Sequence, residues 1–485
     1  MRGRWRPRAE RRSRRAATGS RTRASAGVRF RTERSSHFVT PHTPHMRLSR
    51  WIALAGALPI LSCTTEQVLD VAPVATVEVV APYAAISPGE VHQLRATMRD
   101  GEGDDLGPRI VSWRSLDTAF STVDDSGRAT GVAVGSARIV ARSEGRADTI
   151  VLPVKSSWSA VWSGVRLFCA QRIAGGTECW GDVPGDGTTA TRYAPVSLVG
   201  GLSLTAVSRK SSTACGLAAD HIAWCWDGSQ YVPTEYGNGT DSAHGPTPRT
   251  AGSSIPFRVY GTGNGASCGA GMDGVGYCWG FLAYGTDTTT KYHTVATPTP
   301  VLGGITWKTL LAWSPGGCGL DMTGTAYCFG AADPILGQGD AAADAKIPRP
   351  VVGGLQFDSL WVTSHRACGL THGGDAWCWG EGVLGNGLPY GSYYAPTLLA
   401  GGHHFLKLFD DDLLCGLDDA HSVWCWGNTI MPVRVDTPFP FVDAASDYLN
   451  FCGLTAGGGL YCRGRTLAGD GSREPHDDFV RVNDP

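Results

Sequence analysis

The sequence predicts an all-β protein, a seven-bladed β-propeller preceded by a β-sandwich. Three observations carry this. Fourteen of the 15 cysteines form seven pairs, each separated by ten positions. The pairs recur with first-Cys spacings of 46, 53, 50, 50, 47 and 37 residues. Residues 73–155, by contrast, hold no cysteine and show short runs of alternating apolar and polar residues. With 65 glycines, 16 tryptophans and 18% charged residues in 485, the composition excludes a disordered chain and a coiled coil.

Residues 1–45 carry thirteen Arg against two Glu and fit no ordered element; they read as an untranslated or disordered extension upstream of the true start. Met46 begins a basic start followed by the 12 apolar residues Trp51–Ser62. That is a secretory signal, too short to span a bilayer. Its end, Ile60-Leu61-Ser62-Cys63, resembles the bacterial lipoprotein box, which implies that Cys63 bears a lipid anchor. Residues 63–72 read as a linker. From Cys63 onward the chain carries a net charge of −15, with only six lysines in all. An acidic body argues against a nucleic-acid partner, whose phosphates demand clustered Lys and Arg.

In residues 73–155, the runs Val77–Val80, His92–Met98, Ile110–Trp113 and Ala137–Ala141 alternate in polarity. Pro88-Gly89, Asp100-Gly101 and Ser126-Gly127 separate them at sandwich-like spacing. The segments Ser87-Pro-Gly-Glu90, Val111-Ser-Trp113 and Gly131-Val-Ala-Val-Gly135 resemble the group 2 bacterial Ig-like domain. That family serves as a surface spacer or adhesion module.

Residues 156–485 hold the seven Cys pairs. They are Cys169 with Cys179, Cys215 with Cys225, Cys268 with Cys278, Cys318 with Cys328, Cys368 with Cys378, Cys415 with Cys425 and Cys452 with Cys462. Zinc sites space Cys by two to four residues, so in an exported protein these pairs read as disulfides. Counting the first Cys as 0, position +6 is Gly in five repeats and His221 or His421 in the others. Both types tolerate φ > 0, as the last residue of a three-residue hairpin loop requires. Positions 0 and +10 then face each other on a non-hydrogen-bonded rung, where Cβ atoms come close enough for a bridge. Alternation puts Cys and an apolar +2 residue on one face, and aromatics at +9 and +11 on the other. A hairpin apolar on both faces must be sandwiched between two others. A further aromatic or apolar residue recurs eleven before the first Cys (Trp158, Leu204, Phe257, Trp307, Phe357, Phe441), with Phe405 at ten. One hairpin plus two short apolar runs per unit makes a four-stranded sheet, and closing seven into a ring removes the sheet edges.

The segments Cys318-Gly-Leu-Asp-Met-Thr-Gly-Thr-Ala-Tyr-Cys-Phe-Gly330 and Cys368–Gly380 resemble the repeat of the regulator of chromosome condensation family. So do the triplets Gly337-Gln-Gly339, Gly385-Asn-Gly387 and Gly185-Asp-Gly187. The resemblance spans about two-thirds of the chain and implies a seven-bladed propeller. Repeat 6 lacks the triplet after Trp426, and repeat 7 has Arg463 where others have an aromatic. The family's guanine-nucleotide exchange acts in the nucleus and is not expected of an exported, acidic relative. A secreted bacterial member inhibits β-lactamase by protein contact.

No catalytic residues and no cofactor are predicted. The Gly-x-Gly triplets neither open a helix nor supply Lys-Ser/Thr, so they read as turn glycines. Asp410-Asp411-Asp412 lacks the alternating ligand order of a calcium loop, and His403-His404 is an isolated dipeptide. The expectation is therefore a monomeric, lipid-anchored protein of the bacterial cell envelope, periplasmic or surface-exposed. Its propeller would bind an extracellular protein or glycan, through loops such as Asp182–Thr191, Tyr231–His244 or the stretch holding Tyr390 and Tyr394. The alternative is a polysaccharide hydrolase or lyase with its site in the channel, which requires charged side chains from several repeats to converge at one channel end.

Overall fold

The computed structural model describes residues 72–483 apart from 211, 229–236, 238–244, 252–253, 264, 314, 340–342, 410–413 and 448. The export signal, Cys63, Asp410–Asp412 and most of Tyr231–His244 lie outside the described residues.

The N-terminal module has eight strands: β1 Thr76–Val80, β2 Val91–Gln93, β3 Arg95–Arg99, β4 Ser112–Ser115, β5 Ser121–Val123, β6 Arg128–Gly131, β7 Gly135–Ser143 and β8 Arg146–Val154. They form the sheets β2-β6-β5 and β4-β7-β8 and the ribbon β1-β3. Leu94 and Ala129 from one sheet meet Ala137, Ile139, Leu152 and Val154 from the other, burying the apolar half of each alternating run. The chain enters beside the β7–β8 turn, where the Val74 N–H donates to Glu144 at 3.0 Å. It leaves at the opposite end of β8, nine residues and about 30 Å away.

From Trp158 the described residues form seven consecutive four-stranded antiparallel sheets, each a meander in sequence order. Their first strands are Trp158–Gly164, Leu204–Arg209, Phe257–Thr262, Trp307–Trp313, Ser359–Val362, Phe405–Phe409 and Phe441–Ser446. In every sheet the second and third strands are the Cys hairpin, with position 0 directly opposite +10. One disulfide straps each hairpin. Cys169 is bonded to Cys179, Cys215 to Cys225, Cys268 to Cys278 and Cys318 to Cys328. Cys368 is bonded to Cys378, Cys415 to Cys425 and Cys452 to Cys462. The paired Cα atoms stand 4.0–4.2 Å apart. That is the close rung of an antiparallel ladder, the one a bridge needs. The +6 residue is left-handed in all seven turns, His221 at φ 66° and His421 at φ 59° included. Seven disulfides suit an oxidising compartment.

Successive sheets are joined at both ends. Where the second strand turns into the third, the +6 carbonyl at five of the seven junctions accepts from the N–H of the aromatic that opens or precedes the next first strand, whereas the Leu204 N–H donates to Thr177 Oγ1. Examples are Trp307 to Gly274 at 2.9 Å and Phe405 to Gly374 at 2.8 Å. The same bond joins sheet 7 to sheet 1, Trp158 N–H to Gly458 at 3.1 Å. Ring-wise packing follows, since Trp158, Phe168 and Trp180 share a core with Leu454, Leu460 and Leu467.

The N-terminal module docks on sheet 7 at this same end. Its Glu90 carboxylate is buried and accepts from Thr455 Oγ1 at 2.6 Å, Tyr461 Oη at 2.7 Å and the Ser87 N–H at 2.7 Å, with His92 Nε2 3.3 Å away. Arg481 Nη1 adds a bond to Ser87 Oγ at 3.0 Å. Burial alone would raise the Glu90 pKa, but these hydrogen bonds outweigh it and hold it at about 2. Tyr83, His92, Phe439 and Tyr461 pack ring on ring around the carboxylate.

Candidate binding cleft at one end of the channel

The seven first strands line a narrow channel of about 210 Å³. Its wall is mostly apolar, with Val161, Val207, Leu311, Trp361 and Phe409, and its cations are Arg209, Lys210 and Lys407. Lys407 is paired with Asp443 at 2.5 Å, and the Lys210 ammonium sits 5.7 Å from the Trp361 ring centre.

At the end where first strands hand over to second strands, the channel opens into a cleft of about 640 Å³. Val165 of sheet 1, Lys210 of sheet 2, His365, Arg366, Glu381 and Tyr390 of sheet 5 and Asn428 of sheet 6 line it. Tyr390 is 68% exposed, and its hydroxyl donates to Glu381 Oε1 at 2.5 Å. That bond to a carboxylate pushes the phenol pKa up. Behind the rim, Arg166 Nε and Thr191 Oγ1 both donate to Asp182, at 2.5 and 2.6 Å, while Arg209 donates to the Asp182 carbonyl. Burial pushes the Arg209 pKa down to about 10, so it stays charged at neutral pH. Asp447, on the same end, is pushed up by burial against the N–H groups of Leu449 and Asn450.

The +11 tryptophans explain the Gly-x-Gly triplets. The indole N–H of Trp226 donates to Val183 at 3.0 Å, that of Trp379 to Ile335 at 2.7 Å and that of Trp180 to Leu467 at 3.0 Å. Each acceptor lies two residues before a triplet in the preceding sheet, with sheet 7 preceding sheet 1. The first glycine of the triplet lies under the ring: a Cβ on Gly337 would come within 2.8 Å of Trp379 Nε1. These glycines are therefore sockets for the neighbouring indole as well as turn residues. The junction from sheet 5 to sheet 6 departs from the rule. Trp426 is 1% exposed and its Nε1 has no hydrogen-bond partner. The equivalent carbonyl, Val383, accepts from Arg366 Nη1 at 3.2 Å instead. Both Arg366 and Val383 line the cleft.

No protein-family model matches the chain, and no curated protein matches it. Among solved structures, Prp20p of Saccharomyces cerevisiae, described for its binding to Gsp1p and histones, is 14% identical with a TM-score of 0.52. The match covers 68% of this chain and 88% of that one. A chain from yeast RCC1 (Prp20) bound to Kap60 matches at 14% identity and TM-score 0.52, over 68% of this chain and 85% of that one. The fold is a β-propeller. Human WBSCR16 agrees, at 15% identity and TM-score 0.51 over 70% of this chain and 98% of that one.

With the propeller in hand, the residues singled out from sequence fall into place. The paired cysteines are internal to the blades, and neither Cys179, Cys225, Cys278, Cys328, Cys378, Cys425 and Cys462 nor their partners line the cleft. Asp182 sits on the cleft side but is committed to Arg166 and Thr191. Tyr390 lies in the cleft, whereas Tyr394 is half-buried outside it. His403 lies tilted against Trp424 with ring centres 3.9 Å apart, and His404 Nδ1 lies 2.9 Å from the Gly373 carbonyl. Glu381 and Asn428 each stand 13 residues after the first Cys of their repeat, as Asp182 does, but the residue type at that position changes from repeat to repeat; Lys210, His365 and Arg366 share no position with one another, so no recurring residue pointed to the cleft. Among the described residues, no helix is long and apolar enough to cross a membrane.

Proposed function

We propose that the protein is an exported, lipid-anchored envelope protein whose seven-bladed, closed propeller is a non-enzymatic binding module carried on an Ig-like spacer. One observation carries the reading. The cleft is assembled from blades 1, 2, 5 and 6 at one end of the channel, while the N-terminal module docks at the other end. The spacer geometry supports it too, since the chain enters the module about 30 Å from where it leaves toward the propeller. Cys63 as the lipid-bearing residue would put the membrane on the entry side. Neighbours of the same fold bind proteins, as Prp20p binds Gsp1p and histones. The enzymatic alternative draws on the same convergence of charge. Against it, Glu381 is engaged by Tyr390, whose raised phenol pKa is the wrong direction for a base at neutral pH.

A photo-crosslinking residue placed at 390 in cells tests the reading. Position 322, half-exposed at the opposite end of blade 4, is the control. Adducts at 390 and not at 322 are expected; adducts at 322 alone would defeat it. The Cys63→Ala variant should leave the membrane fraction, and its retention there would remove the anchor from the proposal.

A further inference from the structure

Six of the seven blade junctions join sheets that are also neighbours along the chain. The seventh joins Trp158 to Gly458, 300 positions apart. Sheets 1 and 7 are each built from four consecutive strands, so neither lends the other a strand. Once that junction opens, no short covalent link holds its two sides together, which makes it the weakest point of a closed ring.

The N-terminal module spans this point. Residues 155–157 are all that separate its last strand from Trp158, so it is tied directly to blade 1. From there it grips three of the four strands of blade 7. Glu90 accepts the Thr455 hydroxyl from the second strand and the Tyr461 hydroxyl from the third. Arg481, which ends the fourth, donates to Ser87 Oγ at 3.0 Å and to the Lys155 carbonyl at 3.4 Å. The connection itself is held on both sides, since the Lys155 N–H donates to Ile86 at 2.8 Å and the Ser157 N–H to Gly458 at 3.2 Å.

Blade 7 carries the matching half of the contact in its sequence. Its hairpin turn is Gly457-Gly458-Gly459, and no other repeat has glycine at +5, +6 and +7 together. Only Gly458 is left-handed, so backbone conformation explains one glycine of the three. Contact with the module explains the other two. A Cβ on Gly457 would overlap the Pro88 carbonyl oxygen, and one on Gly459 would overlap Glu90 Oε1 and Ser87 Oγ. Gly373, at +5 in blade 5, would have nothing within 4 Å of a Cβ. Tyr461 at +9 is fully buried, whereas the aromatics at +9 in blades 2 to 6 are half-buried.

We propose that the N-terminal module is the clasp that closes the propeller, tied to blade 1 by residues 155–157 and seated through Ser87–Glu90 on the triple-glycine turn of blade 7. This rests on the reading of the seven sheets as a closed ring, and it is independent of what the cleft binds. Hydrogen exchange of the full, disulfide-intact chain, read by mass spectrometry of fragments, tests it. Residues 157–163 and 467–473 report the junction of blades 7 and 1, and residues 305–311 that of blades 3 and 4. Gly457→Ala and Glu90→Gln should each speed exchange at the first junction at least tenfold and leave 305–311 within twofold. Gly373→Ala should change neither. Glu90→Gln, nearly isosteric, carries the test if Gly457→Ala does not fold. Cleavage at 154–158 shows whether the module has undocked. Undocking with unchanged exchange at the first junction would make the module a pendant domain, and equal acceleration at both junctions would reduce the effect to a general loss of stability; either overturns the clasp. A module that stays docked in both variants removes Ser87–Glu90 as its seat and overturns it too. Fast exchange of 157–163 and 467–473 in the parent would show an open ring, and the closed-ring reading would then fall with the clasp.

Discussion

The junction between blades 4 and 5 and the junction between blades 5 and 6 are built from the same parts and end differently. In the first, Trp379 is fully buried on Gly337, stacks on Phe357 with ring centres 6.0 Å apart and donates to Ile335. In the second, Trp426 is as deeply buried on Gly385, yet its N–H is unsatisfied, and the equivalent carbonyl of Val383 accepts from Arg366. Repetition fixes the apolar contact, and the polar contact is where one junction was altered. The altered junction opens on the cleft, as its Val383 and Arg366 show.

Truncation of the two rings should show the difference most strongly. Trp379→Ala is expected to cost about 3–5 kcal/mol, and Trp426→Ala roughly 1 kcal/mol less, because it removes an unsatisfied donor along with the ring. Denaturant midpoints of the two variants against the parent check this; equal losses would erase the distinction between the junctions.

Acid sharpens the comparison from outside the blades. The indole contacts carry no titrating group, whereas the docking of the N-terminal module turns on Glu90. Its folded pKa of about 2 lies below the ordinary 4.5, so its contribution is complete above that ordinary value and is lost as pH falls toward 2. Glu90→Gln is expected to cost about 3 kcal/mol at neutral pH and to flatten the pH dependence in that window. Limited proteolysis of the 154–158 connection with pepsin, scanned from pH 6 to pH 2, reads it out. Undocking that begins well above pH 4.5 would assign the contact to other groups.

Removing only the N–H tests the hydrogen bond itself. Trp379→Phe should lose about 1 kcal/mol beyond its volume change by stranding the Ile335 carbonyl. Trp426→Phe should lose only the volume part. Thermal unfolding of the pair decides it, and equal shifts would mean that the Ile335 bond contributes nothing net. The smallest effect is expected at Tyr394→Ala, within about 0.5 kcal/mol of the parent. Tyr394 lies in the strand Gly391–Leu398, the fourth of sheet 5, and not in a loop; a loss comparable to that of Trp379→Ala would make its ring part of the core.

Turn chemistry shows how far local reasoning reaches. The left-handed conformation at Gly374 follows from its place in the hairpin, and by itself it predicts a cost of about 1 kcal/mol for Ala. The structure adds that a Cβ there would stand 3.0 Å from the Phe405 carbonyl in the next blade, so the true cost is larger. The triplet glycines were legible as turns and not as sockets, because the indole that needs the space lies 42 residues further on, as Gly337 and Trp379 show. In the cleft, only Tyr390 was readable, as an aromatic in a long loop.

The sequence by itself determined the seven hairpins, their disulfide partners, the left-handed turn residue and the two apolar faces. All of these depend on strand alternation and on residues within about a dozen positions of one another, where chain connectivity leaves a single geometry. Tertiary structure alone decided which side chains share the channel end. Lys210 and Tyr390 are separated by 180 positions and occupy no common repeat site, so only the ring of blades brings them together. The same packing decided that the Trp426 indole N–H would be buried without a partner, since that burial exists only once blades 5 and 6 meet.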